Sequence, residues 1–357
     1  MKEAYFLGAN TPLGFYGLYD SFTDPKSDTA LYILKGGSGC GKSTFMKRIG
    51  EKMLAHNIPI EEIYCSADPS SLDALYIPRF KTAYVDGSHP HGLDTQFAGV
   101  FDHYVHLGQY YNTQSLQKEK EAIMAQIIKG KEPYKRAYDY LAAADKIWRE
   151  IIHELTDTKL IEKIEKRVNG IVTRECKHKS KAGSGNVKKR FLSSFTYEGF
   201  SDFFTTVAQK ETRVYLFDNQ FGLSHIALEK IKDSFIHLAY DMVACQSPMS
   251  PNKLEHILIP ERKLAFISTN DTWQYQGAYY RHIRLDAMIS TQKLTQAKKR
   301  IKFSKKVRGM LWEEAICALT LAREEHVALE ALYNPHVDFN GVLALADKHA
   351  KALLKTQ

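Results

Sequence analysis

The stretch Ala30-Leu31-Tyr32-Ile33-Leu34, followed by Lys35-Gly36-Gly37-Ser38-Gly39-Cys40-Gly41-Lys42-Ser43-Thr44, decides which fold this sequence predicts. The residues before Lys35 are apolar and favour extended backbone, as a buried strand requires. The residues after it contain Gly36-x4-Gly41-Lys42-Ser43, a full match to GxxxxGK[ST]. Residues 45–54 then carry apolar side chains at helical spacing. The sequence therefore predicts a strand, a glycine-rich loop and a helix, in that order.

Each residue type in this loop has a physical role in binding phosphate. Glycines let the backbone turn tightly and direct N–H groups at phosphate oxygens, and the helix N-terminus adds a partial positive charge. Lys42 is expected to reach the β- and γ-phosphates, and the Ser43 hydroxyl to ligate Mg²⁺. Thr44 is placed to assist at the α-phosphate. The predicted nucleotide-binding residues are Gly36, Gly37, Ser38, Gly39, Cys40, Gly41, Lys42, Ser43 and Thr44.

At these residues the sequence resembles the P-loop NTPase superfamily. The resemblance implies an α/β fold, with a parallel sheet flanked by helices, and ATP or GTP with magnesium as the ligand. Guanine-specific members typically carry an NKxD element. The nearest stretch here is Asn252-Lys253-Leu254-Glu255, with glutamate in the last position, so ATP is the preferred nucleotide. No LSGGQ-like signature is present, which argues against an ABC-type ATPase.

The chain also contains an internal repeat. Residues 6–15 align with residues 191–200, and five of the ten pairs are identical. Further on, residues 72–84 match residues 254–266. The two alignments are shifted by 185 and 182 positions, so only a short deletion separates them. The sequence therefore predicts a duplicated unit.

The second copy has lost the residues that bind phosphate. In the register of the repeat, Ser224 replaces Lys42 and His225 replaces Ser43. Asp218 falls on Gly36, where an acidic side chain would repel phosphate. The second copy is therefore predicted not to bind a nucleotide in the usual way. The whole arrangement resembles a bacterial family of predicted ATPases built from tandem P-loop halves, although members of that family generally carry a glycine loop in each half.

A magnesium-binding acid is expected where a neighbouring strand ends. Asp86 is the preferred candidate because it ends a short apolar strand and precedes a glycine. Asp68 follows another strand-like segment and is the rival, while an ordinary Asp in a turn would explain either one. His89 and His91 could contact the γ-phosphate or could be ordinary loop residues. The candidates for an arginine that reaches across the two halves are Arg79, Arg262, Arg281 and Arg284.

Each half continues from its α/β core into helical sequence, which predicts a helical hairpin that caps that core. Pro133 marks a break within the first helical region. Between the halves lies a basic segment with a Gly-Ser centre, which is typical of a linker. The second helical region is predicted as two helices, 293–307 and 310–332. The predicted divisions of the chain are a P-loop domain at 1–173, a linker at 174–190 and a degenerate P-loop-like domain at 191–357.

Composition limits the class of protein. The chain has 357 residues, 44% hydrophobic and 25% charged, which is typical of a globular protein with about two domains. Lys and Arg exceed Asp and Glu by 49 to 41, a modest excess that is compatible with a phosphate-rich partner. No apolar run is long enough for a membrane span, and the first residues lack the apolar region of a signal peptide. The five scattered cysteines form no CxxC pair, so a cytoplasmic protein without disulfides or zinc is expected.

The sequence therefore predicts an ATP-binding, Mg²⁺-dependent ATPase that uses the first P-loop, with a regulatory or structural second half. One alternative is a small-molecule or nucleotide kinase whose acceptor lies between the two halves. Another is a nucleotide-gated binding module without useful turnover. A nucleic-acid partner would suit the lysine clusters, but no nucleic-acid-binding module accompanies them, and no membrane partner is expected.

Overall fold

The computed structural model describes residues 2–23, 28–88, 93–95, 97–176, 183–208 and 212–355. Within these ranges, none of the helices combines the length and the apolar character needed to cross a membrane. The helices are α1 Lys42–Ala55, α2 Thr113–Lys118, α3 Lys120–Lys129, α4 Lys131–Leu155, α5 Thr158–Glu175, α6 Phe204–Ala208, α7 Ser224–His237, α8 Thr291–Tyr333 and α9 Phe339–Lys355. The strands are β1 Lys2–Phe6, β2 Gly8–Thr11, β3 Gly14–Gly17, β4 Ala30–Lys35, β5 Ile60–Tyr64, β6 Leu72–Ile77, β7 Thr82–Asp86, β8 Asp102–His106, β9 Val187–Arg190, β10 Ser193–Thr196, β11 Gly199–Asp202, β12 Arg213–Asp218, β13 Met242–Ser247, β14 Ser250–Ile259, β15 Leu264–Thr269 and β16 Arg281–Ile283.

The fold is α/β, with two larger sheets that share one strand order. In the described part of the chain each has six strands, in the orders β1-β5-β6-β7-β4-β8 and β9-β13-β14-β15-β12-β16. Strand β4, which precedes the glycine-rich loop, pairs in parallel with β7 and β8, and β12 pairs in parallel with β15 and β16. Strand β9 comes from the end of the basic segment between the halves and pairs with β13. The two halves of the chain thus build sheets of the same connectivity.

The prediction of purely parallel sheets is wrong, because both large sheets are mixed. β6 runs antiparallel to both β5 and β7, and β14 runs antiparallel to both β13 and β15. The cause lies in the connection from β6 to β7, a single tight turn that ends at Lys81 with φ of +45°. Lys263 has φ of +46° at the same place after β14. So short a connection can join only antiparallel neighbours, since a parallel pair needs a long crossover.

A smaller sheet joins the two halves at equivalent positions. Its order is β11-β10-β2-β3, so each half contributes one hairpin. Asn10 lies opposite Phe195, and Phe6 exchanges two backbone hydrogen bonds of 2.9 and 2.8 Å with Phe191. Both pairs are separated by the 185 positions that relate the aligned segments in the sequence. The two halves are therefore related at this junction by an approximate two-fold axis. One buried cluster here contains apolar side chains from both halves.

The helical extensions are exchanged between the halves, which corrects the prediction that each would cap its own core. α5, the last helix of the first half, packs against α7 of the second. α9, the last helix of the second half, packs against α1, where Asp347 accepts a 2.8 Å hydrogen bond from Nε of Arg48. The long helices α4 and α8 lie against each other. Sequence periodicity indicates which face of a helix is apolar, but it does not indicate which sheet that face will cover.

Two predicted helix boundaries also differ from the structure. Pro133 lies in the first turn of α4, where the missing N–H costs no hydrogen bond. The boundary between α3 and α4 lies instead at Gly130. The two helices predicted at 293–307 and 310–332 form the single helix α8. Gly309 lies within this helix and lowers its local propensity, but the packing of α8 along α4 keeps it continuous.

A buried ion pair also links the halves and gives a testable stability prediction. Nε of Arg190 on β9 donates to Oε1 of Glu61 on β5 at 2.6 Å, and both side chains are buried. Glu61→Gln leaves the Arg190 charge buried without a carboxylate, so we expect a loss of about 3–5 kcal/mol in the free energy of unfolding. Urea unfolding would measure this loss. An apolar double variant, Glu61→Leu with Arg190→Met, should recover most of it; a single variant within about 1 kcal/mol of wild type would contradict this account.

Candidate functional site

The glycine-rich loop joins the end of β4 to the start of α1, in the order predicted from the sequence. Gly39 and Gly41 have φ of +69° and +83°, a left-handed conformation that residues with a side chain rarely adopt. A Cβ on Gly39 would also lie 2.7 Å from Oδ1 of Asn334. The two glycines therefore permit both the tight turn and the close approach of the neighbouring helix. The N-terminus of α1 begins at Lys42, directly after this turn.

Lys42 spans the mouth of the loop. Its Nζ donates to the carbonyl oxygens of Gly36 and Gly37 at 3.0 and 2.8 Å. The same Nζ lies 3.6 Å from Oδ2 of Asp86. Both charged side chains are largely buried, with exposed fractions of 10% for Lys42 and 15% for Asp86. The loop thus holds an ammonium group close to the backbone N–H groups that can bind an anion.

Sheet pairing brings Asp86 to this position. β7 runs parallel to β4, and Asp86 lies beside Leu34, one residue before the end of β4. Oδ1 of Asp86 accepts a 2.7 Å hydrogen bond from N of Ser88, whose hydroxyl donates to the Gly36 carbonyl at 2.9 Å. One carboxylate oxygen is therefore held by the turn, and the other faces Lys42.

The rival acid, Asp68, lies in the same cavity but is otherwise engaged. Its Oδ2 is 2.9 Å from Nη2 of Arg323, and its Oδ1 accepts hydrogen bonds from N and Oγ of Ser70 at 3.0 and 2.7 Å. The structure therefore pairs Asp86, and not Asp68, with the lysine of the loop.

Ser43 and Asp86 offer the donor types that Mg²⁺ prefers. Ser43 Oγ accepts a 2.9 Å hydrogen bond from N of Leu72 and retains a second lone pair. Among the described residues, no group of three or more His, Cys, Asp or Glu side chains is arranged to hold a metal ion. One hydroxyl and one carboxylate are nevertheless sufficient for Mg²⁺ when phosphate oxygens and water complete its shell. The residues present therefore fit Mg²⁺ bound together with a nucleotide.

A cavity of about 1150 Å³ opens beside the loop. Residues 37–44 and Asp86 form one side of it. The other side comes from α4 and α8, so the two halves of the chain share the cavity. Its basic and acidic members on these two helices are Lys131, Lys135, Arg323, Glu325, His326 and Glu330.

The residues that α8 contributes were missed by the sequence analysis. Arg323, His326 and Glu330 recur at spacings of three and four, so they could be recognised as one polar face of a helix. Nothing in that pattern says that this face lies against a loop almost 300 positions earlier in the chain. The four arginines proposed from the sequence do not line the cavity, and His89 and His91 lie outside the described residues.

In the second half, Ser224 lies at the position that corresponds to Lys42, since these residues begin α7 and α1. The register within the strand needs a correction. Phe217 pairs with Ser268 as Leu34 pairs with Asp86, so Asp218 corresponds to Lys35 and not to Gly36. The second loop is therefore one residue shorter than the first.

In the second half, a hydrogen bond between two neutral side chains replaces the Lys42–Asp86 ion pair of the first half. Ser224 and Ser268 occupy the positions of Lys42 and Asp86, and Oγ of Ser268 donates to Oγ of Ser224 at 2.7 Å. Both serines are buried. The second loop therefore has neither the cation that would bind phosphate nor the carboxylate that would bind a metal ion.

Aromatic and aliphatic side chains cover the second loop. Phe221 stacks on Trp148 of α4 with ring centroids 5.8 Å apart, and Nε1 of Trp148 donates to the Gln220 carbonyl at 3.2 Å. A Cβ on Gly222 would lie 3.3 Å from Ile152. Trp148 and Ile152 precede Glu330 and Asn334 by 182 positions, the shift that relates the two halves here. At these equivalent positions, polar residues thus lie beside the first loop and apolar residues beside the second.

No family model, curated protein or solved structure matches this chain.

Proposed function

We propose that this protein is a P-loop NTPase that binds ATP with Mg²⁺ on the loop at 36–44 and hydrolyses it. The observation that carries the proposal is the position of Lys42, whose Nζ bridges the carbonyls of Gly36 and Gly37 and lies 3.6 Å from Asp86. A lysine, a carboxylate and a helix N-terminus at one glycine-rich turn form the arrangement that binds a nucleotide polyphosphate. The common strand order of the two large sheets supports a duplicated origin.

In this proposal, each group at the loop has a defined task. The backbone N–H groups and the N-terminus of α1 bind phosphate oxygens. Lys42 exchanges its carbonyl partners for the β- and γ-phosphates and neutralises charge that develops on the transferred phosphoryl group. Ser43 and Asp86 hold Mg²⁺, which when bound supplies Lewis-acid stabilisation of the phosphate oxygens. The polar face of α8 closes over the loop and limits the access of water.

The second half has a structural or regulatory role in this proposal. Its own loop is filled by Phe221 and Trp148, but its helices α8 and α9 pack on the first half and complete the nucleotide cavity. Movement of the halves relative to each other would therefore change the surroundings of the bound nucleotide. Hydrolysis coupled to such a movement is the activity that this arrangement supports best.

The proposal predicts that one nucleotide binds to each chain. Isothermal titration with ATP and Mg²⁺ should give a stoichiometry of about one, because the first loop has a lysine and lines a cavity, whereas the second loop has no lysine and packs against Trp148. Phosphate release should require Mg²⁺ and should be faster with ATP than with GTP. A stoichiometry of about two would show that the second loop binds as well. Absence of binding would overturn the proposed function.

The size of the cavity favours a kinase as the second candidate. Ligand pockets are commonly about 300–1000 Å³. The cavity here, at about 1150 Å³, extends beyond the loop to Asn10 and Phe15 of the joining sheet and to Asp73. An acceptor molecule could bind there, between the halves. If so, a metabolite or nucleoside monophosphate should increase ADP production and yield an equal amount of phosphorylated product.

A further inference from the structure

Three charged side chains form a cluster in the wall of the cavity. Nη2 of Arg323 lies 2.9 Å from Oδ2 of Asp68, and Nη1 lies 3.6 Å from Oε2 of Glu330. The Arg323 side chain is only 21% exposed. Nη1 is buried and makes no hydrogen bond within the described part of the chain. Arg323 thus lines the cavity that contains Lys42, and its guanidinium group is only partly satisfied.

The cluster lies beside the P-loop. Asp68 belongs to the connection between β5 and β6, and Leu72 in that region donates its N–H to Ser43 Oγ at 2.9 Å. The Glu330 backbone lies beside the middle of the loop, since a Cβ on Gly39 would lie 3.6 Å from the Glu330 Cα. Arg323 therefore links α8 of the second half to the connection between β5 and β6, which lies beside the loop in the first half.

The second half has no such cluster at the equivalent positions. With the shift of 182 positions, Asp68 corresponds to Ser250, Arg323 to Leu141 and Glu330 to Trp148. Leu141 is fully buried and Trp148 packs on Phe221. The charged cluster thus occurs beside the first loop, which has the lysine. Beside the second loop, which has no lysine, apolar residues replace the arginine and one of the two carboxylates. If the cluster only linked the two halves, there would be no reason for it to occur beside the loop with the lysine and not beside the other loop.

The unsatisfied Nη1 donor of Arg323 points to a ligand with acceptor oxygens. Burial of a guanidinium group costs free energy unless its donors are satisfied, and Nη1 of Arg323 is not. An arginine binds phosphate well because its planar donors match two oxygens. The ligand that the loop is proposed to hold carries such oxygens into the same cavity.

We propose that Arg323 binds the terminal phosphate of a nucleotide held on the P-loop, so that the second half of the chain supplies a phosphate-binding residue to the site in the first half. This assignment rests on the proposed function. Arg323 then leaves or shares its contact with Asp68 when the γ-phosphate is present. ADP, which lacks that phosphate, does not engage it.

The test compares the affinities for ATP and ADP in matched variants. Arg323→Ala should weaken ATP binding about tenfold or more, since it removes a charge-assisted hydrogen bond, and should change ADP binding by less than about twofold. Arg323→Lys should show an intermediate loss, because it keeps the charge without the planar donors. In steady-state assays kcat should fall along with the rise in KM. Arg300→Ala, which removes another ion-paired arginine of α8, should match wild type.

A structural role would give a different result. Asp68→Asn breaks the same ion pair but keeps the guanidinium group, so it should retain the preference for ATP over ADP. The assignment is overturned if Arg323→Ala weakens ATP and ADP equally, or if Asp68→Asn reproduces its effect. Unchanged ATP binding in Arg323→Ala and Arg323→Lys would overturn this assignment while leaving the proposed function intact. Failure of the wild-type protein to bind ATP would overturn both.

Discussion

Replacement of Lys42 by alanine is expected to reduce ATP affinity by about 100-fold or more and to abolish phosphate release. The ammonium group lies at the mouth of the loop and would contact two phosphates of the bound nucleotide. A hydrogen bond to a charged group contributes about 1.5–3 kcal/mol, so the loss of two such contacts gives at least a 100-fold change. Titration calorimetry would measure the affinity, and a phosphate-release assay the turnover.

Lys52→Ala is the matched control for this experiment. Lys52 lies in the last turn of the same helix, α1, and its Nζ is 3.1 Å from Oδ1 of Asp347, away from the loop. It should bind ATP as the wild type does. Thermal unfolding of both variants would separate a loss of binding from a loss of folding. Wild-type affinity in folded Lys42→Ala protein would contradict the assignment of the phosphate site.

The second large effect is expected from Asp86→Asn. Asparagine keeps the hydrogen bond from N of Ser88 but removes the negative charge beside Lys42 and the Mg²⁺ donor. Phosphate release should fall about 100-fold or more, since metal stabilisation of the reacting phosphate contributes several kcal/mol. Binding of ATP in the absence of Mg²⁺ should remain within a few-fold of wild type. A Mg²⁺ titration of turnover would test both statements.

Asp68→Asn separates the two candidate acids in the same assay. Because Asp68 is held by Arg323 and Ser70, its replacement should leave the Mg²⁺ dependence of turnover unchanged. If Asp68→Asn lost the response to Mg²⁺ and Asp86→Asn kept it, Asp68 would be the metal-binding acid. Such a result would also require the connection between β5 and β6 to move toward the loop.

Because helices are exchanged between the halves, the two halves of the sequence do not form two separate units in the structure. α5 and α9 are each the last helix of one half and pack against a helix of the other, α7 and α1. Asn10 and Phe195, at equivalent positions, pair at the centre of the joining sheet. Neither half would bury its helical faces without the other. The cavity beside the glycine-rich loop lies at this shared boundary and is lined by both halves.

The amino-acid sequence alone determined the features that depend on neighbouring residues. The turn at 36–41 needs glycine at Gly39 and Gly41 because their φ angles are positive, and the helix that follows begins at Lys42 as the spacing predicts. The loss of this lysine in the second copy follows from aligned sequence segments and needs no structure. These features are local, since contiguous backbone and side-chain chemistry are enough to specify them.

Only the tertiary structure decided which distant residues meet. It placed Asp86, and not Asp68, beside Lys42, because β7 is the strand that pairs with β4. It also showed that the second loop is one residue shorter than the register of the repeat predicts, and that Trp148 packs against this loop. It brought Arg323 across from the other half, because the exchange of helices depends on which apolar faces fit together. Such contacts arise from packing between segments far apart in the chain, and periodicity along one segment carries no information about its partner.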